Sequence, residues 1–363
     1  MAISSRFPRM TGGRVEYGAV VRVPVCPLIF EPIYKPRIWG GRRLAELFER
    51  RLPEADPIGE SWEVADLADD RSVARAGEQA RGRNLGQLVR EWGSDLLGPA
   101  APADGRFPLL IKYLDARDVL SVQVHPDEAM AAAIGGGVRP KNEAWYIVAA
   151  DENASIYRGL KPGVDRKTFL EALEAGGIEQ VLRRIPVKTG QCYYLPGGTL
   201  HALGAGVVAA EVQTPSDVTY RLHDWGRIDP ATGDGRQLHL DEAMRCIAFE
   251  PWEYPEEKRS HVASVWTSMS RLITSGSFVV ERVRMTAGID QPIPYAEMVI
   301  WIVLQGRGRI GYGKAGDAVA FGPGDTVVLP AGLGESRVMT DDDCVWLEVT
   351  LPKGGGPGGR SSC

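Results

Sequence analysis

Residues 190–201 read GQCYYLPGGTLH, and residues 324–335 read GDTVVLPAGLGE. Both segments contain a glycine, five residues, a proline, one residue, a glycine, two residues and then a polar residue. A glutamate precedes an apolar run upstream of each copy, Glu143 in NEAWYIVAA and Glu297 in AEMVIWIVL. Because self-similarity at separated positions indicates a repeated structural unit, the sequence predicts the same small β unit twice.

The two predicted units differ in their insertions. After about residue 260, short apolar runs joined by glycine and proline turns indicate an all-β barrel or sandwich. Upstream, helical spacing appears over 41–51, 83–97, 126–134 and 165–184, with Asp165 as an N-cap candidate. We therefore predict a mainly β protein with two barrels, the first carrying helical insertions. The predicted parts are a poorly ordered extension (1–27), a first unit (28–258), a second unit (259–352) and a disordered tail (353–363).

Composition excludes several classes of protein. The chain has 363 residues, of which 44% are hydrophobic and 25% charged, as in ordinary globular proteins. With 42 basic and 47 acidic residues the net charge is −5, so we expect no nucleic-acid partner. No apolar run reaches the length of a membrane-spanning helix, and we expect neither membrane association nor an export signal. Five scattered cysteines form no disulfide framework, which favours a reducing, cytoplasmic location.

A set of metal-binding residue types surrounds the first motif. Gln123 and His125 lie two residues apart, so on a strand their side chains share one face. Glu143 opens the following strand, and His201 ends the motif. A lone histidine on a strand is more often structural, but two imidazoles, a carboxylate and an amide oxygen in this frame suit one Zn²⁺. The motif itself resembles the second motif of the cupin superfamily, which predicts cupin-like (jelly-roll) barrels.

Several separated segments together resemble type I phosphomannose isomerase in its short bacterial form. They read EPIYKPRIWGG, IGESWEVAD, SVQVHPDE, KNEAWYI, GQCYYLPGGTLHALG and EVQTPSDVTYRLHDWGR. The likeness is strong over residues 28–250 and weak over 270–351. It implies two cupin-like barrels, zinc held by Gln123, His125, Glu143 and His201, and interconversion of mannose 6-phosphate and fructose 6-phosphate. Proton transfer through an enediol is the usual route for such an exchange, with the metal holding the developing charge.

The same resemblance implies roles for charged residues near the ligands. Arg221 matches an active-site arginine that stabilises the enediolate or orients the sugar, and a barrel-rim salt bridge is the structural alternative. Glu211 matches an acidic residue that handles protons, although a paired strand carboxylate is equally compatible with the pattern. Lys141, two residues before a ligand, is expected to orient substrate or move a proton. The identity of the base stays open at this point.

Three further residues are candidates for binding the sugar phosphate. Ser121 lies two residues before Gln123 and offers a hydroxyl donor on the same face. Trp39 offers an aromatic face to the sugar, with hydrophobic packing as the alternative. Lys112 is a candidate for the phosphate, together with Arg37 and Lys141. Because the sequence has no glycine-rich phosphate loop, scattered side chains must hold this group.

The second unit lacks the corresponding donors. Glu335 stands where the motif of the first unit has histidine, and residues 298–301 supply no histidine pair. We therefore expect the second unit to be metal-free, with a packing or oligomerisation role in a monomer or small homo-oligomer.

Two other functions compete with the isomerase. Two histidines and a carboxylate also suit Fe(II) in a cupin dioxygenase, although Gln123 and the Arg221 segment argue against it. A non-catalytic sugar-binding cupin is the third possibility, against which the intact ligand set argues.

Overall fold

The computed structural model describes residues 25–54, 57–100, 102, 104–229, 232–249, 261–313 and 316–352. Almost all of the predicted N-terminal extension and the whole predicted tail lie outside these ranges. The predicted boundary between residues 258 and 259 also lies outside them. The division into two units therefore stays a prediction, and the names first unit and second unit are used below for residues 28–258 and 259–352.

The described residues form 23 strands and six α-helices. The strands before residue 250 are β1 (Leu28–Phe30), β2 (Ile33–Gly41), β3 (Ile58–Val64), β4 (Ala74–Ala76), β5 (Leu110–Ala116), β6 (Val122–Val124), β7 (Glu143–Ala150), β8 (Ser155–Leu160), β9 (Leu182–Pro186), β10 (Cys192–Leu195), β11 (His201–Leu203), β12 (Val207–Gln213) and β13 (Tyr220–His223). The later strands are β14 (His261–Ala263), β15 (Thr267–Thr274), β16 (Val279–Met285), β17 (Asp290–Pro292), β18 (Val299–Gln305), β19 (Gly308–Tyr312), β20 (Asp317–Phe321), β21 (Thr326–Leu329), β22 (Ser336–Thr340) and β23 (Cys344–Thr350). The helices are α1 (Arg43–Phe48), α2 (Leu85–Trp92), α3 (Ser94–Leu97), α4 (Glu128–Ile134), α5 (Arg166–Glu174) and α6 (Leu240–Cys246).

The strands form four antiparallel sheets, which confirms the predicted mainly β fold. In the first unit a six-stranded sheet (β10-β7-β12-β5-β2-β3) faces a five-stranded sheet (β13-β6-β11-β8-β9). Leu114 and Trp145 of the larger sheet pack with Ile156 and Leu203 of the smaller one. An eight-stranded and a four-stranded sheet are paired similarly in the second unit. Strand pairing closes no complete barrel in the described ranges, so each unit is a pair of facing sheets.

The eight-stranded sheet crosses the predicted division of the chain. Its order is β14-β15-β16-β23-β18-β21-β1-β4, so two strands from the start of the first unit complete the sheet of the second. Leu28 pairs with Val328, and Ile29 with Val327. The hydrophobic core follows the same path, because one cluster of buried residues extends from Val25 to Val349. The two units are therefore joined by a continuous sheet and a continuous core.

The six-stranded sheet is buried on both faces. Every residue of β5 and of β12 is buried. Because side chains alternate along a strand, Ile111 and Tyr113 face the core shared with the second unit, whereas Lys112 and Leu114 face the interior of the first. A polar side chain on the inner face is consequently removed from bulk water, and only a functional site or an ion pair stabilises it there.

Helices α1, α4 and α5 lie within predicted helical ranges, whereas α6 lies where no helix was predicted, and two predicted ranges differ in detail. Asp165 caps α5 by accepting a hydrogen bond from Thr168 N, as predicted. The predicted helix over 83–97 is instead two helices, because Gly93 takes a φ of 46° between them. The predicted helix over 165–184 was wrong in its last turn, where β9 pairs with β8 because sheet pairing overrides a short helical pattern. None of the described helices is long and apolar enough to span a bilayer.

Candidate metal centre and substrate pocket

Strand register aligns polar side chains on the inner face of the six-stranded sheet. Lys112 on β5 pairs with Glu211 on β12, and Glu211 pairs with Trp145 on β7. Gln213, two residues along β12, pairs with Glu143. Since side chains two residues apart share a face, Glu143, Lys112 and Glu211 point into the same interior.

The facing sheet supplies the opposite wall. Gln123 at the centre of β6 pairs with His201 on β11 on one side and with Arg221 on β13 on the other. Three side chains predicted from separate motifs therefore form one row across three strands. His125 follows β6 on the same side as Gln123.

Three predicted ligands converge on one buried point. The Nε2 atom of His125 lies 3.2 Å from Oε1 of Glu143, and Nε2 of His201 lies 3.3 Å from Oε2 of Glu143. One candidate donor atom from each residue lies within 4.8 Å of the others. Their exposed fractions are only 2%, 1% and 1% for His125, Glu143 and His201.

The hydrogen-bonding pattern of these residues fits a bound cation. Nδ1 of His201 lies 2.8 Å from the carbonyl oxygen of Thr199, an acceptor that keeps the proton on Nδ1 and leaves Nε2 as a lone-pair donor. Nε2 of His125 and Oε2 of Glu143 make no well-directed hydrogen bond to a described residue, although the carboxylate of Glu143 faces both imidazoles. Buried polar atoms almost always have a partner, so a cation held between these atoms would account for the arrangement. Two imidazoles with one carboxylate form a donor set for a divalent transition metal.

The protonation states agree with ligand roles. Burial, with the charge of Lys141, lowers the pKa of His125 to about 3, so the imidazole is neutral and able to donate at neutral pH. Burial alone would raise the pKa of Glu143, but the nearby charge of Lys141 lowers it well below its usual range. The Nζ atom of Lys141 lies 2.9 Å from Oε1 of Glu143.

Gln123 reaches the same point through its amide. Its Nε2 lies 3.3 Å from Nε2 of His201, and its Oε1 lies 3.5 Å from Oγ of Ser121. A half-turn of the amide exchanges its oxygen and nitrogen without changing its shape. Gln123 is therefore placed to offer a fourth oxygen donor beside the three charged or imidazole groups.

A buried row of alternating charges lies next to this centre. Lys112 is 3.2 Å from Glu211 and 3.9 Å from Glu60, and the indole nitrogens of Trp145 and Trp62 donate to these two carboxylates. Burial, together with the charge of Glu143, raises the pKa of Glu211. Glu60 differs: burial opposes its ionisation, but Lys112 and Arg37 lower its pKa to about 2. Of the two carboxylates beside Lys112, Glu211 therefore has a raised pKa and Glu60 a lowered one.

Arginines surround the outer end of the site. Arg221 donates through Nε to Ser121 Oγ at 3.3 Å and through Nη1 to the carbonyl of Gln237 at 2.8 Å. Asp224 accepts from both Arg236 and Arg227. Burial, with the adjacent charge of Arg236, lowers the pKa of Arg221. This end of the site therefore has an excess of positive charge that an anion would stabilise.

One cavity of about 410 Å³ brings these groups together, and eight of the ten predicted site residues line it. They are Trp39, Lys112, Ser121, Gln123, Lys141, Glu143, Glu211 and Arg221. The other two, His125 and His201, lie buried beneath Glu143. Trp39 is 3% exposed and belongs to the core between the sheets, so it combines packing with a place in the cavity wall.

The cavity also has lining residues that the sequence patterns did not indicate. Arg236 comes from the segment after β13, where neither a periodic pattern nor a quoted segment marks it. A weaker sequence signal existed for Asp217 and Thr219, which lie in the quoted segment EVQTPSDVTYRLHDWGR, and for Glu60, which lies in IGESWEVAD. Gly40 and Gly41, next to Trp39, have no room for a side chain: a Cβ on Gly40 would lie 2.4 Å from the nitrogen of Gly59, and one on Gly41 would lie 2.5 Å from Asp115 Oδ1. These glycines permit close packing within the protein.

A buried imidazole–carboxylate cluster beneath a charged cavity, between two facing sheets, is typical of cupin-like enzymes with a metal site. Comparison with known proteins narrows this class. Residues 28–154 match the family model "Phosphomannose isomerase type I, catalytic domain". Mannose-6-phosphate isomerase ManA of Bacillus subtilis (strain 168) is 35% identical over 322 residues, covering 88% of this chain and 98% of that protein. The mannose-6-phosphate isomerase of Streptococcus mutans is 33% identical, covering 84% and 92%.

A solved structure agrees with these sequence matches. The crystal structure of the mannose 6-phosphate isomerase from Bacillus subtilis superposes with a TM-score of 0.81 at 29% identity, covering 90% of this chain and 99% of that one. The chain is an enzyme of the type I phosphomannose isomerase family.

Proposed function

We propose that this enzyme interconverts mannose 6-phosphate and fructose 6-phosphate at a single zinc site in the first unit. The observation that carries the proposal is the buried cluster of His125, Glu143 and His201 opening through Glu143 into a cavity of charged side chains. The names of the relatives supply the substrate, since both are mannose-6-phosphate isomerases that this chain matches over more than nine-tenths of their length.

The ligands proposed for zinc are His125, Glu143 and His201, with Gln123 as the fourth. A zinc ion held by these residues would supply Lewis-acid polarisation of the sugar's carbonyl and hydroxyl oxygens. Lys141, held 2.9 Å from Glu143, adds a cation at the same end of the cavity and orients the sugar hydroxyl groups. The chain itself must then move a proton between C1 and C2.

Glu211 is the proposed proton carrier. It lines the cavity. Burial raises its pKa toward neutral pH, and a carboxyl group with such a pKa both accepts and releases a proton readily. Trp145 fixes one of its oxygens at 2.8 Å, and Lys112 lies 3.2 Å from the other. Glu60 is unsuited to this role, because its pKa of about 2 keeps it ionised.

The phosphate is proposed to lie at the arginine end of the cavity. Five cationic and four acidic side chains line the cavity, so protein charges alone nearly cancel, and a divalent cation produces the excess that a phosphate dianion requires. Lys112 and Lys141 are already paired with buried carboxylates. Arg236, which shares Asp224 with Arg227, is the proposed phosphate ligand. Arg221 orients the sugar with Ser121.

Turnover of mannose 6-phosphate by purified protein tests this function. The protein is assayed as isolated, after chelation, and after addition of Zn²⁺, Mg²⁺ or Fe²⁺ to the stripped protein. We expect activity to be lost on chelation and restored by Zn²⁺, without oxygen consumption. Oxygen uptake with Fe²⁺ would favour a dioxygenase. Binding of hexose phosphates without turnover by the zinc-loaded protein would favour a binding protein.

The enediol step needs a separate experiment. In deuterium oxide, proton transfer through an enediol places solvent deuterium on the carbon that receives the proton. Nuclear magnetic resonance of the early product is expected to show deuterium at C1 of fructose 6-phosphate. Complete retention of the original hydrogen would contradict solvent exchange and favour a hydride shift.

A further inference from the structure

Asn142 lies between two residues of the proposed centre, Lys141 and Glu143, but its side chain points away from the cavity. It is 5% exposed. Its Oδ1 accepts a hydrogen bond from the backbone nitrogen of Gly197 at 3.0 Å. Its Nδ2 donates to Oε1 of Glu128 and to Oγ of Ser277, both at 3.2 Å. One amide group thus contacts three separate segments of the chain.

Two of these segments carry proposed ligands. Gly197 belongs to the turn of the first motif that leads to His201. Glu128 is the first residue of α4, which follows His125. Backbone hydrogen bonds tie the same segments together, from Gly198 to the carbonyl of His125 at 2.8 Å and from Lys141 to that of Pro126 at 3.0 Å. With Glu143 as the next residue in the chain, Asn142 joins all three segments that carry the buried cluster.

The remaining contact comes from the second unit. Ser277 lies in the turn between β15 and β16, and the hydroxyl of Ser275 already accepts the backbone hydrogen bond from Ser277. The hydroxyl oxygen of Ser277 accepts the hydrogen bond from Asn142. Beside this contact, Phe278 packs edge-on against Tyr194 with ring centroids 6.0 Å apart. The turn is therefore seated firmly against β10 of the first unit.

We propose that Asn142 is a positioning residue through which the second unit holds the metal-ligand segments in register. This inference rests on the metal site of the proposed function. Residues that orient ligands, without contacting the metal, commonly change metal affinity by about 10- to 100-fold when they are removed. The second unit lacks the donor pattern of the first, but through Ser277 it helps to hold the metal ligands of the first unit in place.

The test compares zinc affinity among four variants and the wild type. Zinc dissociation constants are measured on metal-free protein by competition with a chromophoric chelator, and the geometry of the site by the visible spectrum of the Co²⁺-loaded protein. Asn142→Ala is expected to weaken zinc binding by about 10- to 100-fold and to shift the Co²⁺ spectrum. It should lower kcat with little change in KM, because the substrate contacts stay in place.

Ser277→Ala removes only the contact from the second unit. A neutral hydrogen bond contributes modestly, so we expect zinc binding to weaken by about threefold to tenfold. Ser277→Thr keeps the hydroxyl and should restore wild-type affinity. Ser264→Ala is the matched control, since Ser264 also lies in a hairpin turn of the second unit and, among the described residues, its hydroxyl bonds within its own turn. It should leave zinc affinity and the spectrum unchanged.

Measuring the free energy of unfolding together with zinc affinity distinguishes a positioning role of Asn142 from a merely structural one. If Asn142→Ala and Ser277→Ala lower the free energy of unfolding of the metal-free protein but leave zinc affinity and the Co²⁺ spectrum as in wild type, the inference is overturned. If Asn142→Ala fails to fold, the inference is tested by zinc affinity in the other three variants. Weaker binding by Ser277→Ala than by Ser277→Thr and Ser264→Ala supports it, and equal binding by all three overturns it. Absence of zinc binding by the wild type would overturn the proposed metal site and the inference with it.

Discussion

In the first unit, the motif over 190–201 ends in buried His201 beside a cavity lined by nine charged side chains. In the second unit, the motif over 324–335 ends in exposed Glu335, and the interior is aromatic. Trp301 and Trp346 stack there with ring centroids 4.6 Å apart, and each is 1% exposed. Phe321 packs edge-on against Trp301 at 6.1 Å. Similar backbone frames therefore enclose a charged cavity in one unit and a packed core in the other.

The comparison shows what the repeated motif provides by itself. Its glycine and proline residues set the turn that leads from a strand of one sheet to a strand of the facing sheet, and this geometry is compatible with either interior. The chemistry depends on a few inward-facing positions at which the first unit has histidine, glutamate and lysine. Burying those charges is costly, so they persist only where they pair with one another or bind a cation.

The largest expected difference between the units concerns their two aligned glutamates. Glu143→Gln removes the only carboxylate of the proposed centre while keeping the shape of the side chain. Because metal polarisation contributes several kcal/mol to catalysis, we expect kcat/KM for mannose 6-phosphate to fall by about a thousandfold or more. Steady-state kinetics with circular dichroism as a check on folding measures this effect.

Glu297→Gln is the matched change in the second unit, and we expect it to leave kcat/KM within about twofold of wild type. Comparable losses from both substitutions would contradict the assignment of the metal to the first unit alone.

The aromatic interior predicts the second difference. Trp301→Ala should lower the free energy of unfolding by about 3–5 kcal/mol, because a large buried side chain leaves a cavity that neighbours fill only in part. Urea unfolding of the metal-free protein measures the change. A loss below about 1 kcal/mol would contradict a tightly packed core in the second unit.

The pH dependence of the free energy of unfolding should also differ between buried glutamates of the two units. Because Lys112 and Arg37 hold the pKa of Glu60 at about 2 despite its burial, the unfolded chain takes up this proton first as the pH falls. Glu60 therefore contributes about 3 kcal/mol of stability above pH about 4.3, and this is lost as the pH falls toward 2. The destabilisation caused by Glu60→Gln should accordingly shrink between pH 6 and pH 3.

The pKa of Glu348 in the second unit is shifted in the opposite direction to that of Glu60. Burial raises its pKa, so the unfolded chain releases the proton first as the pH rises, and wild-type stability falls above pH about 4.3. Glu348→Gln should therefore gain stability relative to wild type as the pH rises. Urea midpoints of metal-free protein across this range check both signs, and parallel pH profiles for the two variants would contradict the assignments.

The smallest expected effect concerns the phosphate. Arg236→Ala should raise KM for mannose 6-phosphate by about 10- to 100-fold, since hydrogen bonds to charged groups contribute roughly 1.5–3 kcal/mol. Arg337→Ala is the control in the second unit, where Arg337 pairs with Asp290 at the surface. Equal KM values for Arg236→Ala and wild type would place the phosphate elsewhere in the cavity.

Local patterns in the sequence predicted several of the residues that lie together at the candidate site. Gln123 and His125 share a strand face because of the two-residue period, and the glycine–proline turn before His201 is itself a local signal. The helix cap at Asp165 is equally local. These features depend on neighbours along the chain, so they could be predicted without knowing the fold.

Other features depend on distant contacts and could not be predicted in this way. The pairing of β1 with β21 joins residues about 300 positions apart, and no short pattern encodes it. Arg236 reaches the cavity through a loop fixed by Asp224, without periodicity. The last turn of the predicted helical range 165–184 contains the start of β9, because pairing with β8 decides the structure of that short segment.

The first unit is proposed to bind one zinc ion and the second unit none. Calorimetric titration of metal-free protein with Zn²⁺, using the wild type and His125→Ala, distinguishes the two units. We predict one zinc per chain for the wild type and loss of this binding in His125→Ala. Two equivalents, none, or one equivalent that persists in His125→Ala would contradict this proposal.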